Sequence, residues 1–115
     1  MAVSVEDSRQ DLEWMARKIV ELRVFDDADG RLNLSLLDVG GQLLVVSQFT
    51  LFGDCSKGRR PSFIEAAPPD KGRVVYEYFI QELKKHAVAV ATGTFGAMME
   101  VELVNDGPVT LILEK

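Results

Sequence analysis

Residues 42–50 read Gln-Leu-Leu-Val-Val-Ser-Gln-Phe-Thr, and this stretch decides the predicted fold. The apolar run is short and follows the turn at Gly40-Gly41, a pattern typical of a strand buried on both faces. Polar side chains close the strand at the point where α/β sheets usually open onto a ligand. We therefore predict a strand over 42–50 with a candidate site at its end. The alternative is that Gln48 and Thr50 simply turn outward as the strand finishes.

Helical and extended patterns alternate on both sides of this strand. Apolar residues at helical spacing predict a helix over 9–22, with Ser8 as its N-cap. Pro68-Pro69-Asp70 predicts the start of a second helix, which ends near His86. Strands are further predicted at 87–91, 98–104 and 109–114, the end of a strand at 2–5 and a short strand or extended segment at 32–35, with a turn at 105–108 between the last two strands. The order of elements predicts an α/β protein with a mixed sheet.

Length and composition predict one globular domain over residues 1–115. The chain is 47% hydrophobic and 27% charged, with a net charge of −5, which argues against coating nucleic acid through bulk charge. Cys55 is the single cysteine, so no intrachain disulfide can form. The apolar runs are too short to cross a membrane, and the first residues do not resemble a signal peptide. We expect a cytoplasmic protein.

The familiar catalytic and cofactor motifs are missing from the sequence. His86 is the single histidine, so neither a zinc site nor a Ser-His-Asp triad is expected, and a solvated helix end suits it better. No Walker A loop and no dinucleotide-binding glycine motif occur. The acidic turn Asp26–Gly30 lacks the ligand spacing of a calcium loop. We therefore expect no metal and no cofactor.

Two further segments carry polar groups that could bind a ligand. Residues 57–63 (Lys-Gly-Arg-Arg-Pro-Ser-Phe) place cations beside an aromatic ring, which suits phosphate contact and base stacking. A solvated basic loop is the alternative interpretation. Residues 105–110 (Asn-Asp-Gly-Pro-Val-Thr) are compatible with a simple hairpin turn. Neither segment decides a function by itself.

Taken together, these segments closely resemble the D-aminoacyl-tRNA deacylases. The matching stretches keep their order through nearly the whole chain, and the Ser-Gln-Phe-Thr and Asn-Asp-Gly-Pro-Val-Thr stretches are specific to that family. They are residues 23–25, 30–35, 41, 43–51, 58–63, 76–79, 92–93 and 103–110.

The resemblance implies a three-layer mixed-sheet α/β fold, with β layers and helices on one side. It also implies a homodimer with two active sites at the subunit interface. The implied reaction is hydrolysis of the ester of D-aminoacyl-tRNA, which releases the D-amino acid and tRNA. Glycine mischarged on tRNA(Ala) is a further expected substrate. Main-chain groups and a ribose hydroxyl of the substrate would serve this chemistry, and no cofactor is implied.

The family pattern also implies a role for individual residues of this sequence. Catalysis is assigned to Gln48, Phe49 and Thr50, with an oxyanion hole of backbone N–H groups around Phe49 and Thr50. Covalent catalysis by Thr50 is the less favoured alternative to lining the pocket. Substrate binding is assigned to Ser47, Phe63, Met99, Gly107 and Pro108, and contact with the tRNA backbone to Lys57, Arg59 and Arg60. Gly107-Pro108 is expected to be a Gly-cis-Pro pair that enters the partner's site and excludes L-amino acids.

One departure from the family leaves other hypotheses open. Family members begin with further strands, including a Gln-Arg-Val stretch that this sequence does not contain before Met1, so we expect an N-terminally truncated domain. A truncated, non-catalytic tRNA-binding module is therefore the main alternative. An oligomerisation domain without an RNA partner is the weaker one.

Overall fold

The computed structural model describes residues 1–107 and 109–115 and contains three α-helices, four short strands and one 3-10 helix among them. In chain order these are α1 (Arg9–Glu21), β1 (Arg23–Asp26), β2 (Leu32–Ser35), α2 (Leu36–Val39), β3 (Gln42–Val45), the 3-10 helix (Phe49–Phe52), α3 (Pro69–Lys84) and β4 (Ala89–Thr92). The mixed α/β class predicted from the sequence is confirmed. None of the helices in this part of the chain is long and apolar enough to span a membrane.

The described strands form two separate pairs. β1 and β2 make an antiparallel hairpin, whereas β3 and β4 run parallel with Gln42 opposite Ala89 and Val45 opposite Thr92. Parallel strands need a long crossover, and here that crossover contains α3. The parallel pair therefore brings the end of β3 next to the segment that follows β4.

The two long helices begin where the sequence predicts. Ser8 caps α1, because its side chain accepts a hydrogen bond from the Asp11 amide at 3.3 Å while the Ser8 amide donates to the Asp11 carboxylate at 3.1 Å. α3 begins at Pro69, a position where the missing N–H has no cost. The predictions of helices over 9–22 and from Pro68-Pro69-Asp70 are confirmed to within two residues at each end.

The core is an interface between α1, α3 and the parallel strand pair. Phe79, Leu83 and Val20 are its largest fully buried side chains. The remaining buried members of the cluster are Leu12, Ala16, Leu36, Val45, Tyr76 and Ile80. Most of them are apolar residues that recur every three or four positions along α1 and α3. Each helix therefore has one apolar face, and that face packs into the core.

The predicted strand over 42–50 is wrong in length and in burial. β3 ends at Val45, and residues 49–52 wind into the 3-10 helix. Leu44 is 57% exposed, so the strand is buried on one face. The physical reason is that the described sheet has two strands with helices packed against one face, which leaves alternate side chains uncovered.

The strands predicted at 98–104 and 109–114 are absent, since none of the described residues after Thr92 is in a helix or a strand. Val104 is 93% and Ile112 83% exposed. An apolar alternating pattern favours a strand only when a neighbouring strand accepts its backbone hydrogen bonds, and none pairs with this segment here. Neither β1 nor α2 was predicted from the sequence.

Residues 1–4 lie between two other segments of the chain, and a turn follows at residues 5–6. Met1 accepts a hydrogen bond from the Gln48 amide at 2.7 Å, and Val3 accepts one from the Ala67 amide at 2.8 Å. A single antiparallel bridge joins Ser4 to Ala66. In place of the strand end predicted at 2–5, the chain has this single bridge followed by a turn, and it ties the end of β3 to the residues that precede α3.

Candidate functional site

A cavity of about 870 Å³ opens where β3 ends, between the N-terminal residues, the start of α3 and the turn after β4. Most of its lining is apolar, and a few polar groups converge on it, which is typical of a small-molecule site. The residues expected from the sequence that line it are Ser47, Gln48, Phe49, Phe63 and Met99; others are Val46, Ala66, Ala67, Gly72, Arg73, Tyr76, Phe95 and Ala97.

Gln48 and Thr50 form a hydrogen-bonded pair at the edge of this cavity. The side-chain amide nitrogen of Gln48, Nε2, donates to the Thr50 hydroxyl oxygen at 2.5 Å. Thr50 itself does not line the cavity, and both side chains are exposed. The geometry therefore makes Thr50 a partner that orients Gln48, and no imidazole or carboxylate among the described residues is hydrogen-bonded to it.

Two aromatic rings form one side of the cavity. Phe49 and Phe63 meet edge to face, with 5.2 Å between ring centroids. Gly53 makes this contact possible, because a Cβ atom there would lie 2.9 Å from Phe63 Cε1 and 2.9 Å from the Thr50 carbonyl oxygen. The 3-10 helix thus fixes Phe49 against the ring that follows the basic loop.

Met99 is held at the cavity by the chain that leaves β4. The Thr94 amide donates to the Met99 sulfur at 3.3 Å. A Cβ atom at Gly93 would approach the same sulfur to 2.9 Å, so the small residue leaves room for the thioether. This is the contact that brings residue 99 to the cavity, in agreement with its expected place there.

Tyr76 lies on α3, lines the cavity and links this helix to β3. Its buried hydroxyl donates to the Val45 carbonyl oxygen at 2.8 Å, and burial raises the pKa of Tyr76. The hydroxyl is therefore protonated at neutral pH and serves as a fixed donor. The Phe95 ring packs on Tyr76 with 5.6 Å between centroids.

Arg73 completes this wall and was not anticipated from the sequence. Its guanidinium carbon lies 5.1 Å from the centroid of Phe95, within the range of a cation–π contact. The spacing of three residues between Arg73 and Tyr76 on a predicted helix indicates a shared face. The contact with Phe95 depends on tertiary packing, so the sequence carried no signal for it.

The basic loop lies beside the cavity and does not line it. Two backbone hydrogen bonds between Asp54 and Ser62, of 2.8 and 2.9 Å, close the loop at its base. Lys57, Arg59 and Arg60 are all exposed on it. Phe63, which follows the loop immediately, is the residue that connects it to the cavity wall.

Residues 105–107 of the Asn-Asp-Gly-Pro stretch do not line the cavity. Gly107 is exposed and is not among the lining residues, and Pro108 lies outside the described residues. The cis geometry expected for the Gly107-Pro108 pair therefore also lies outside the described residues.

The acidic turn before β2 is organised by its own hydrogen bonds. Asp27 accepts from the amides of Asp29 and Arg31 at 2.9 and 3.1 Å and from the Asn33 side chain at 3.1 Å. The backbone donors, that of Arg31 first, lower the pKa of Asp27. Within residues 1–107 and 109–115, no cluster of three or more His, Cys, Asp or Glu side chains could hold a metal ion.

Comparison with known proteins gives one consistent match. Residues 1–114 fit the family model described as D-Tyr-tRNA(Tyr) deacylase. The chain is 55% identical over 114 residues to the D-aminoacyl-tRNA deacylase of Thermosipho africanus and 57% identical to that of Syntrophobacter fumaroxidans, covering 99% of this chain and 76% of each relative.

Solved structures agree on the fold. The c-Myc DNA unwinding element binding protein superposes with a TM-score of 0.91 at 40% identity, over 100% of this chain and 78% of that one. A probable eukaryotic D-amino acid tRNA deacylase superposes with a TM-score of 0.69 at 17% identity over 85% of this chain and 72% of that one, which supports the fold alone.

Proposed function

Because this chain belongs to the D-Tyr-tRNA(Tyr) deacylase family, we propose that it hydrolyses the ester of D-aminoacyl-tRNA and releases the free D-amino acid and tRNA. The observation that carries the proposal is the cavity at the end of β3, where Ser47, Gln48 and Phe49 face Phe63 and Met99. An aminoacylated terminal nucleoside combines an apolar base with polar ester and ribose groups. The cavity offers surfaces of both kinds.

The proposed chemistry uses backbone donors in place of a side-chain nucleophile. The first amides of a helix lack acceptors within it, and those of Phe49 and Thr50 occupy that place in the 3-10 helix. They would stabilise the negative charge that develops on the ester carbonyl oxygen. Water adds to the carbonyl carbon, the bond to the ribose oxygen breaks, and that oxygen takes up the proton. A neighbouring ribose hydroxyl of the substrate would assist.

Gln48 and Thr50 would position the ester rather than attack it. A threonine nucleophile needs an adjacent base, and Thr50 accepts its hydrogen bond from an amide that cannot take up a proton. The pair would hold one side of the ester against the backbone amides. This supports lining of the cavity as the role of the Gln48 side chain and orientation of Gln48 as the role of Thr50.

Selection against L-amino acids would come from Gly107-Pro108 of a second copy. Dimerisation is supported by the apolar surface of the segment after β4, in which Met98 and Val104 are almost completely exposed in the isolated chain. A Gly-cis-Pro pair placed across the interface would screen the α-carbon of the substrate. Glycine has no side chain there, so mischarged glycyl-tRNA(Ala) would also be accepted.

The basic loop would contact the tRNA backbone. Its three cations are exposed, and the hydrogen bonds at its base hold it next to Phe63. Such contacts supply affinity that falls with salt. We place this reaction in the cytoplasm, where aminoacyl-tRNA is used.

The test is hydrolysis of D-tyrosyl-tRNA against L-tyrosyl-tRNA by the wild-type chain and by Gly107→Ala. Wild type should release tyrosine from the D ester and leave the L ester intact, and the variant should lose most of that discrimination. Binding of tRNA without turnover would instead favour a non-catalytic tRNA-binding module. Unchanged discrimination in the variant would refute the role of residue 107.

A further inference from the structure

We propose that Arg73 binds the phosphate on the 5′ side of the terminal adenosine, and this inference rests on the proposed function. Arg73 is the one charged side chain among the described residues that line the cavity. The remaining lining side chains are apolar, aromatic or neutral polar. A cationic side chain in such a surface selects for an anion on the ligand.

Packing holds the guanidinium at the cavity wall. Three successive contacts form a column of packed groups that ends at Arg73. The Tyr76 hydroxyl donates to the Val45 carbonyl oxygen, the Tyr76 ring packs on Phe95, and Phe95 contacts the Arg73 guanidinium. Gly72 lets Phe95 approach α3, because a Cβ atom there would lie 3.3 Å from Phe95 Cζ. A cation–π contact with a ring leaves N–H groups of a guanidinium free to donate hydrogen bonds.

The charge of Arg73 is not neutralised within the described part of the chain. The two ion pairs found there join Lys85 to Glu82 and Lys115 to Asp11. The chain as a whole carries a net charge of −5, so carboxylates are plentiful elsewhere. An arginine that contacts a ring and lacks a carboxylate partner is available for a ligand.

The charged groups of the proposed substrate indicate which anion Arg73 would bind. The aminoacyl end carries an α-ammonium group, which a guanidinium repels. The nearest anion to the ester is the phosphodiester on the other side of the terminal ribose. Guanidinium and phosphate form paired, charge-assisted hydrogen bonds. Arg73 would therefore mark the ribose-phosphate end of the cavity, and the Gln48–Thr50 pair the ester end.

The experiment removes the phosphate from the substrate and the guanidinium from the protein. The three substrates are D-tyrosyl-tRNA, 3′-O-D-tyrosyl adenosine 5′-monophosphate and 3′-O-D-tyrosyl adenosine. The variants are Arg73→Gln and Arg73→Lys. Arg9→Gln is the matched control, because Arg9 lies 5.4 Å from the Tyr78 ring centroid but does not line the cavity.

Arg73→Gln should lower kcat/KM about tenfold for the two phosphorylated substrates, the effect expected for losing one charge-assisted hydrogen bond. The unphosphorylated ester should be hydrolysed at the wild-type rate. Arg73→Lys should recover part of the loss, and Arg9→Gln should leave all three rates unchanged. A binding measurement by calorimetry should show that wild type prefers adenosine 5′-monophosphate over adenosine and that Arg73→Gln does not.

The experiment distinguishes failure of the proposed function from failure of the inference about Arg73. If wild type hydrolyses none of the D esters, the proposed function is wrong and this inference falls with it. If wild type is active and Arg73→Gln lowers all three rates equally, or none of them, phosphate recognition by Arg73 alone is refuted.

Discussion

The packed region formed by α1, α3, β3 and β4 contrasts with the C-terminal segment, residues 98–107 and 109–115. The first buries Phe79 and Leu83 completely, and its helix α3 supplies part of the cavity wall, whereas the second leaves Val104 and Ile112 exposed. Both have strong apolar patterns in the sequence. The difference shows that helices close their own backbone hydrogen bonds and can pack, while a strand pattern stays extended until a neighbour pairs with it.

Contacts near both of its ends attach the C-terminal segment to the rest of the described chain. At its beginning, the Met99 sulfur accepts from the Thr94 amide. At its end, Lys115 pairs with Asp11 at 3.0 Å and lies 5.4 Å from the Trp14 ring centroid. The segment is thus held near the cavity at one end and on α1 at the other.

The largest expected effect is on the free energy of unfolding, which a substitution in the packed region should lower far more than one in the C-terminal segment. Phe79→Ala should lower the free energy of unfolding by about 3–5 kcal/mol, because it leaves a cavity in a closed core. Ile112→Ala should change it by less than about 0.5 kcal/mol, because the side chain is exposed. Chemical denaturation at low protein concentration measures both. Comparable losses in the two variants would show that residue 112 is part of the core.

A second comparison uses two glycines whose added Cβ would come equally close to a neighbour. Gly53→Ala conflicts with the Thr50 backbone as well as with Phe63, so the 3-10 helix must move. It should lower kcat/KM for D-tyrosyl-tRNA by about 10- to 100-fold. Gly93→Ala meets only the flexible end of Met99 and should keep a rate near wild type. A greater loss in Gly93→Ala would mean that the wall formed by the C-terminal segment is the rigid one.

The smallest expected effect concerns the contact of Lys115 with α1 and depends on pH. Hydrogen bonds from Ser8, and secondarily Lys115, lower the pKa of Asp11 from 3.8 to about 2. A pKa lowered by folding stabilises the protein above the unfolded value and loses that contribution as pH falls through about 2. Asp11→Asn should therefore lower the thermal midpoint slightly at pH 7 and hardly at all at pH 2. Lys115→Met should lower it less than Asp11→Asn at pH 7, and the reverse order would contradict the leading role of Ser8.

Much of the packed region could be predicted from the sequence because its signals are local. The capping box at Ser8, Pro69 at the start of α3 and the apolar stripes on both helices specify α1 and α3. The run at 42–50 predicted a strand, although its last residues instead form the 3-10 helix. That turn depends on contacts with Phe63 and with residues 1–4, which spacing along the chain does not reveal.

The candidate site was predictable in part. Ser47, Gln48, Phe49, Phe63 and Met99 were expected at one pocket and line one cavity. Arg73, Phe95 and Tyr76 were missed, because their column depends on how α3 crosses the parallel strand pair. The roles of the predicted residues in binding and catalysis remain proposals.

The central claim is that D-aminoacyl esters are hydrolysed inside the cavity at the end of β3. Ala97→Trp fills that cavity from the exposed turn after β4, and Ala28→Trp adds the same ring on an exposed turn that does not line it. The decisive measurement is single-turnover hydrolysis of D-tyrosyl-tRNA by wild type and by both variants, each with its thermal midpoint. Wild type and Ala28→Trp should be equally active, and Ala97→Trp should be inactive yet equally stable. A wild-type rate in Ala97→Trp would place the reaction elsewhere on the molecule and contradict the account.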